Sequence, residues 1–157
     1  GWQNDNGVLN QVYESGYYLL GKNNIKTSWN FVYSGNSGGN TVVPKEVINT
    51  NERLYVLWSG VYGVTSFSAH ATTGLIDFSK FNYVVLGCKT STCVSNSWGY
   101  IKIAGKIIPL DYRSEYTIEI PAVSKKEGKL EIGVSSGRSD GVAACGLMLN
   151  ITKVMLI

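Results

Sequence analysis

Apolar and polar residues alternate along most of this chain, most sharply in its second half. In the run 116–120, Tyr116, Ile118 and Ile120 fall on one side and Thr117 and Glu119 on the other. Leu130, Ile132 and Val134 alternate in the same way with Lys129, Glu131 and Gly133. Successive side chains of a strand point to opposite faces, so such runs suit half-buried antiparallel strands. The pattern predicts strands over 9–14, 17–20, 27–33, 41–43, 53–58, 61–66, 83–88, 99–103, 106–108, 116–120, 130–135 and 147–156. Turn residues separate them: Glu14-Ser15-Gly16, Gly35 to Gly39, Asn49-Thr50-Asn51, Ala104-Gly105 and Ser136 to Gly141. One short helical corner is expected at 77–81.

Two stretches depart from simple alternation. Leu54 to Trp58 is almost continuously hydrophobic, as in a strand buried on both faces. In the last run, Leu147, Leu149 and Ile151 share a face with Lys153, while Val154 and Leu156 fall out of phase. A β-bulge near Thr152-Lys153 would restore the pattern; the alternative is a final segment buried on both faces. The three prolines, Pro44, Pro109 and Pro121, all fall at predicted strand ends or loops. Many short strands with turn clusters between them predict an all-β fold, an antiparallel β-sandwich or barrel.

Composition fits that reading. The chain has 157 residues, enough for one domain with a substantial core. Only 16% are charged, below the roughly 25% of an average soluble protein, and Gly, Ser and Asn take their place. Net charge is +3, with the basic residues scattered. No clustered basic stripe marks a nucleic-acid partner, and no run of about 18 apolar residues marks a membrane insertion. The opening Gly1 to Gly7 resembles the cut end of a longer chain. The single domain 1–157 therefore reads as the C-terminal part of a larger protein.

The three cysteines, Cys88, Cys93 and Cys145, are an odd number and do not suggest a disulfide framework. Cys88 and Cys93 have the separation for a hairpin bridge. The simpler expectation is free thiols in a protein made in a reducing cytoplasm. Three Cys and the lone His70 have no zinc-ligand spacing. Asp5, Asn6, Asp77 and Asp140 form no calcium-loop pattern, so no cofactor is expected.

The stretch 74–86, Gly-Leu-Ile-Asp-Phe-Ser-Lys-Phe-Asn-Tyr-Val-Val-Leu, resembles a recurring element of phage and prophage tail proteins. Ile118 to Val123 followed by Gly128 to Val134 is similar to their penultimate strand pair, and Leu149 to Leu156 to their final strand. Thr27 to Phe31 and Arg53 to Val56 follow the same order. The resemblance implies a sandwich of jelly-roll (galactose-binding-like) type, forming a C-terminal module of a minor structural or tail-tip protein. It implies a virion or prophage location and binding of a host-surface glycan. Other tail subunits or further copies of this chain are the implied protein partners. It supplies no catalytic residues.

Catalytic motifs are weak. Gly35-Asn36-Ser37-Gly38-Gly39 is similar to the nucleophile loop of trypsin-like proteases, but those have Asp in place of Asn36. The only His, His70, follows the serine, and in that family it comes first. The stretch reads instead as a flexible glycine-rich hairpin. His70, in Ser68 to Thr72, reads as a surface or edge-strand residue. Among Asp77, Asp111, Glu115, Glu119 and Glu131, spacing identifies no glycosidase pair, and Glu119 and Glu131 read as ordinary outward strand residues. Asn150-Ile151-Thr152 matches the N-glycosylation pattern by chance. The expectation is a protein that is not an enzyme.

Exposed rings remain. Trp29, Tyr33, Trp58, Tyr62, Trp98 and Tyr100 are candidates, because an aromatic face packs against the C–H face of a sugar while polar side chains meet its hydroxyls. The sharpest group is Asn96, Trp98 and Tyr100. Tyr100 and Lys102 point outward if Ile101 and Ile103 are core. Arg138 and Asp140 add a pair able to hold a diol. The predicted glycan site is thus Asn96, Trp98, Tyr100, Arg138 and Asp140. The first alternative is a structural oligomerisation or fibre-capping module with no sugar ligand, and the second is a glycan hydrolase.

Overall fold

The computed structural model describes residues 16–23, 25, 27–95 and 98–157. The predicted strand 9–14, the first two residues of the turn at 14–16, Asp5, Asn6 and Asn96 lie outside the described residues. Fourteen strands are described: β1 (Tyr17–Leu20), β2 (Asn30–Ser37), β3 (Asn40–Thr41), β4 (Glu46–Asn49), β5 (Leu54–Val61), β6 (Thr65–Thr72), β7 (Ile76–Asp77), β8 (Tyr83–Thr92), β9 (Tyr100–Ile103), β10 (Lys106–Pro109), β11 (Glu115–Glu119), β12 (Glu127–Gly128), β13 (Leu130–Arg138) and β14 (Cys145–Leu156). They form a β-sandwich of two antiparallel sheets. Sheet I has the order β11-β8-β14-β5-β4, with β1 also paired to β14. Sheet II has the order β10-β9-β13-β6-β2-β3. A small β7–β12 pair lies apart from both.

The pairing is nested along the chain. β9 pairs with β10, β8 with β11, β6 with β13 and β5 with β14, each antiparallel. The innermost hairpin turns at Ala104-Gly105, where both residues have positive φ, 44° and 88°. That is the backbone of a two-residue primed turn, whose twist matches its flanking strands.

Alternation places the core between the sheets. From sheet I come Leu54, Val56 and Trp58, Leu147, Leu149 and Ile151, and Val84, Leu86 and Cys88. From sheet II come Phe67, Ala69 and Ala71, Ile101 and Ile103, and Leu130, Ile132 and Val134. Of the two readings of the last run, the structure has the bulge, at the expected place. Ile151 pairs with Cys88 and Lys153 with Gly87, so Thr152 is the extra residue. Val154 and Leu156 then return to the core. The corner is a 3-10 turn, Phe78–Lys80, capped by Asp77, whose carboxylate accepts from the Ser79 backbone N–H at 3.1 Å.

Several expectations need correction. The predicted strand 61–66 straddles a turn: β5 runs on to Val61 and β6 begins at Thr65. His70 is not an edge residue, because β6 lies between β13 and β2. Its flanking small residues, Ala69 and Ala71, are core positions under a tightly packed sheet. The β4 strand was not anticipated; its short, mostly exposed sequence carries little alternation signal. Trp58 is not an exposed ring: it is 2% exposed, and its indole N–H donates to the Val42 carbonyl at 2.9 Å. Gly35 belongs to β2, not to a flexible loop. A Cβ there would lie 2.6 Å from the Trp58 indole nitrogen.

The cysteines are the largest correction. Cys93 and Cys145 form a disulfide, with Cα atoms 4.9 Å apart. Cys88 is the one free thiol and is buried, so it bridges nothing. Cys93 lies just past the end of β8, and β8 and β14 are neighbours in sheet I. Sheet pairing therefore brings together residues that the sequence holds 52 apart.

Candidate functional site

Of the predicted ring residues, Tyr100 lies on the outer face of sheet II. Ile101 and Ile103 are fully buried, so Tyr100 and Lys102 face outward, as expected. Tyr100 pairs with Gly133 on β13. A Cβ on Gly133 would come within 2.7–2.9 Å of the Tyr100 ring and hydroxyl. The ring therefore lies down across β13 over the glycine, and its hydroxyl donates to Oε2 of Glu131. The Thr72 hydroxyl donates to the other carboxylate oxygen at 3.1 Å, and the Lys102 ammonium stands 3.8 Å away.

Glu131 is thus half-buried and held by three groups on the two strands that flank β13, more than an ordinary outward strand acid. Burial pushes its carboxyl pKa up. The Tyr100 and Thr72 hydroxyls, Lys102 and the nearby His70 outweigh that and leave it below the usual range. Burial, then the carboxylate itself, push the Tyr100 hydroxyl well above its ordinary value. Tyr100 is consequently a neutral, fixed ring at every physiological pH. Sequence reading missed Glu131 and Thr72 as partners. Their signal exists only across strands: Glu131 sits opposite both Lys102 and Thr72.

Trp98 precedes β9 and is 45% exposed. Gly99 after it is buried, and a Cβ there would lie 2.7 Å from the Gly133 carbonyl oxygen. That close approach holds the segment against β13, with Trp98 partly exposed beside it. The other rings divide. Tyr62 is 69% exposed and Tyr33 38%. Trp29 is half-buried, its indole N–H donating to the Leu19 carbonyl at 2.8 Å.

Arg138 and Asp140 form a separate group at the end of β13. They line a recess of about 410 Å3 with Cys93, Val94 and Ser95. Arg138 Nε is 3.4 Å from Asp140 Oδ1, and its Nη1 donates to the Cys93 carbonyl at 3.4 Å. Asp140 also accepts from the Val142 backbone N–H at 3.2 Å, which, ahead of Arg138, holds its carboxyl below the usual range. This pair shares the recess with the disulfide, not with Tyr100. Seven residues of strand separate Glu131 from Arg138, roughly 24 Å. The structure therefore splits the predicted site into a ring platform and a rim recess, with Trp98 on the segment between them.

Two larger recesses lie elsewhere. One, of about 580 Å3, lies at the bulge and includes Glu115 and Lys153; the other, of about 600 Å3, includes Tyr17, Leu75 and Phe81. Neither contains a predicted site residue. Among the described residues, no three His, Cys, Asp or Glu side chains converge as metal ligands, and no helix is long and apolar enough to cross a membrane. No protein-family model matches the chain, and no curated protein matches it.

Proposed function

We propose that this domain is a non-catalytic carbohydrate-binding module of a phage or prophage tail protein, recognising a host-surface glycan. One observation carries the reading. Trp98, 45% exposed, lies two residues before Tyr100, whose ring is held over Gly133 and whose hydroxyl is bonded to Glu131. A pre-fixed aromatic platform binds a sugar face at little entropic cost. The nested strand order supports a jelly roll, in which one long folded ribbon wraps into two sheets. The tail context rests on the resemblance of 74–86 and 118–134. The Cys93–Cys145 disulfide suits a protein that works outside the reducing cytoplasm, such as a virion component.

Catalysis finds less support. The carboxyls of Asp77, Asp111, Glu131 and Asp140 are all displaced below their usual range, which favours charge over proton donation. The oligomerisation reading has one observation in its favour: Leu75 and Tyr17, 66% and 59% exposed, line the recess of about 600 Å3. Tail subunits or further copies of this chain are the partners that would cover it.

A module of this kind binds with a Kd of roughly millimolar to micromolar, or about −4 to −8 kcal/mol, and gains avidity from multiple copies. The test is a bacterial-surface glycan array with size-exclusion chromatography on the same sample, run on wild type and Trp98→Ala. Binding to one sugar class that Trp98→Ala abolishes, with an unchanged melting temperature, is the expected outcome. A silent array with a discrete oligomer would favour the structural module. Loss of several degrees in Trp98→Ala would place the ring in the core and end the proposal.

A further inference from the structure

Strand β11 ends sheet I, and its backbone leaves one side open. It pairs only with β8, antiparallel, with Thr117 opposite Val85. At the two ends of that pairing, the Cys88 N–H donates to the Ser114 carbonyl and the Ile120 N–H to the Asn82 carbonyl. Backbone groups of an antiparallel strand face its partner at every second residue. Ser114, Tyr116, Ile118 and Ile120 therefore face β8. Glu115, Thr117 and Glu119 direct their N–H and C=O groups outward, three donors and three acceptors that meet no partner among the described residues. At five residues, β11 is the longest of the strands that end a sheet. The corresponding β10 of sheet II closes on Pro109, which has no N–H to offer, and β3 has only two residues.

Side chains decide what such an edge accepts. Glu115, Thr117 and Glu119 are exposed and share the outer face of sheet I, while Tyr116 and Ile118 point towards the core. Neither glutamate has a cationic partner among the described residues. Two copies of β11 pairing about a two-fold axis at Thr117 would set Glu115 of each against Glu119 of the other. Like charges directly opposite one another destabilise a sheet, so the edge rejects its own copy in that register. A cation at each of those positions stabilises it instead. The recess of about 580 Å3 opens beside this edge, with Glu115 and Thr117 in its lining and Gly87 contributing no side chain. Long side chains of an added strand therefore have room to lean inward over the sheet.

We propose that this edge docks an extended segment of another protein, which joins sheet I as a further strand and carries Lys or Arg at two positions four residues apart, opposite Glu115 and Glu119. The position between them, opposite Thr117, takes a small polar or β-branched residue. The two alternate positions face the core side and continue the apolar layer of half-buried Ile118. Main-chain bonds to Glu115, Thr117 and Glu119 supply affinity, and the two cations supply the choice of partner. This surface belongs to sheet I and Tyr100 to sheet II, so it stands apart from the glycan reading.

The test titrates the isotopically labelled chain with the peptide Thr-Lys-Val-Thr-Val-Lys-Thr, read by amide NMR shifts and hydrogen exchange, beside a control peptide with Glu in place of both Lys. The expected result is binding of the basic peptide alone, with the amides of Glu115, Thr117 and Glu119 gaining protection. Reversing both charges, Glu115→Lys with Glu119→Lys, should weaken the basic peptide about tenfold or more and create binding of the acidic one. Thr117→Pro removes only an outward N–H, which an edge strand tolerates, and should abolish binding with little change in melting temperature. If that variant unfolds, the charge reversal still decides. No binding of the basic peptide at about 1 mM, equal binding of both peptides, or protection elsewhere on the molecule overturns the proposal. So does a wild-type dimer that protects the same three amides without peptide, which would make the edge a contact between copies.

Discussion

Glu131 is the residue on which local chemistry turns. Its carboxylate is anchored by Tyr100, Thr72 and Lys102, so removing one donor leaves a half-buried charge short of a partner. Tyr100→Phe should cost about 1–2 kcal/mol, read from urea unfolding. Because the carboxyl titrates lower in the folded chain than in the unfolded one, its contribution is complete above the unfolded value of about 4.3. It drains away as pH falls through the lower folded value. Glu131→Gln should therefore flatten the acid limb of the stability profile, and an unchanged limb would refute the network. Cys88 behaves oppositely. Burial pushes its thiol up to about 12, so it stays neutral and inert when folded. The contribution is complete below the unfolded value of about 8.5 and is lost as pH rises towards 12. A thiol reagent at pH 8 should find no reactive cysteine in the native protein, and one in denaturant without reductant. Three in denaturant would mean that Cys93 and Cys145 are not joined.

Strand β14 shows how one element can carry two phases of a pattern. Thr152 is the residue left over between the pairs Ile151–Cys88 and Lys153–Gly87. Its presence keeps Lys153 out of the core and lets Val154 and Leu156 in. Gly87 opposite is required, since a Cβ would lie 2.8 Å from the Thr152 hydroxyl. Removing Thr152 leaves every other pair intact and makes the strand regular. The deletion should fold, at a cost of about 1–2 kcal/mol. Deleting Asn150 instead turns one half of the strand inside out and should abolish folding. Circular dichroism and thermal melts of the two deletions make the comparison; equal damage would mean that the bulge is not where the register slips. Leu149→Ala, at the buried centre of the same strand, should cost about 2–5 kcal/mol.

At the scale of the whole molecule, the nested pairing dominates. β5 must find β14 and β6 must find β13 across most of the chain. Such long-range closure makes folding slow, on the order of milliseconds to seconds. The Cys93–Cys145 bond closes a 52-residue separation and restricts the unfolded chain. In the chain-entropy account, its loss costs about 4 kcal/mol. Cys145→Ser should lower stability by that order in urea titration; a change below about 1 kcal/mol would place the stabilisation elsewhere. The bond also ties down Cys93, whose N–H donates to the Ser136 hydroxyl at 3.0 Å and whose carbonyl receives Arg138. The rim recess is thus set by the same cross-link that steadies the sandwich.

The sequence by itself determined the properties that repeat every two residues. The β class, the Ala104-Gly105 turn, the slip at Thr152-Lys153 and the outward direction of Tyr100 and Lys102 are local consequences of alternation and turn chemistry. The burial of the 54–58 run was legible in its near-continuous hydrophobicity. Tertiary structure alone decided which strands adjoin, because period two states a face and not a neighbour. That choice paired Cys93 with Cys145, set Gly35 of β2 against the Trp58 ring, and made β6 a central strand. It also brought Glu131 to Tyr100 and Thr72 and separated Arg138 from the ring platform. Each of these is a contact between residues far apart in the chain, and its energy exists only once the sheets have closed.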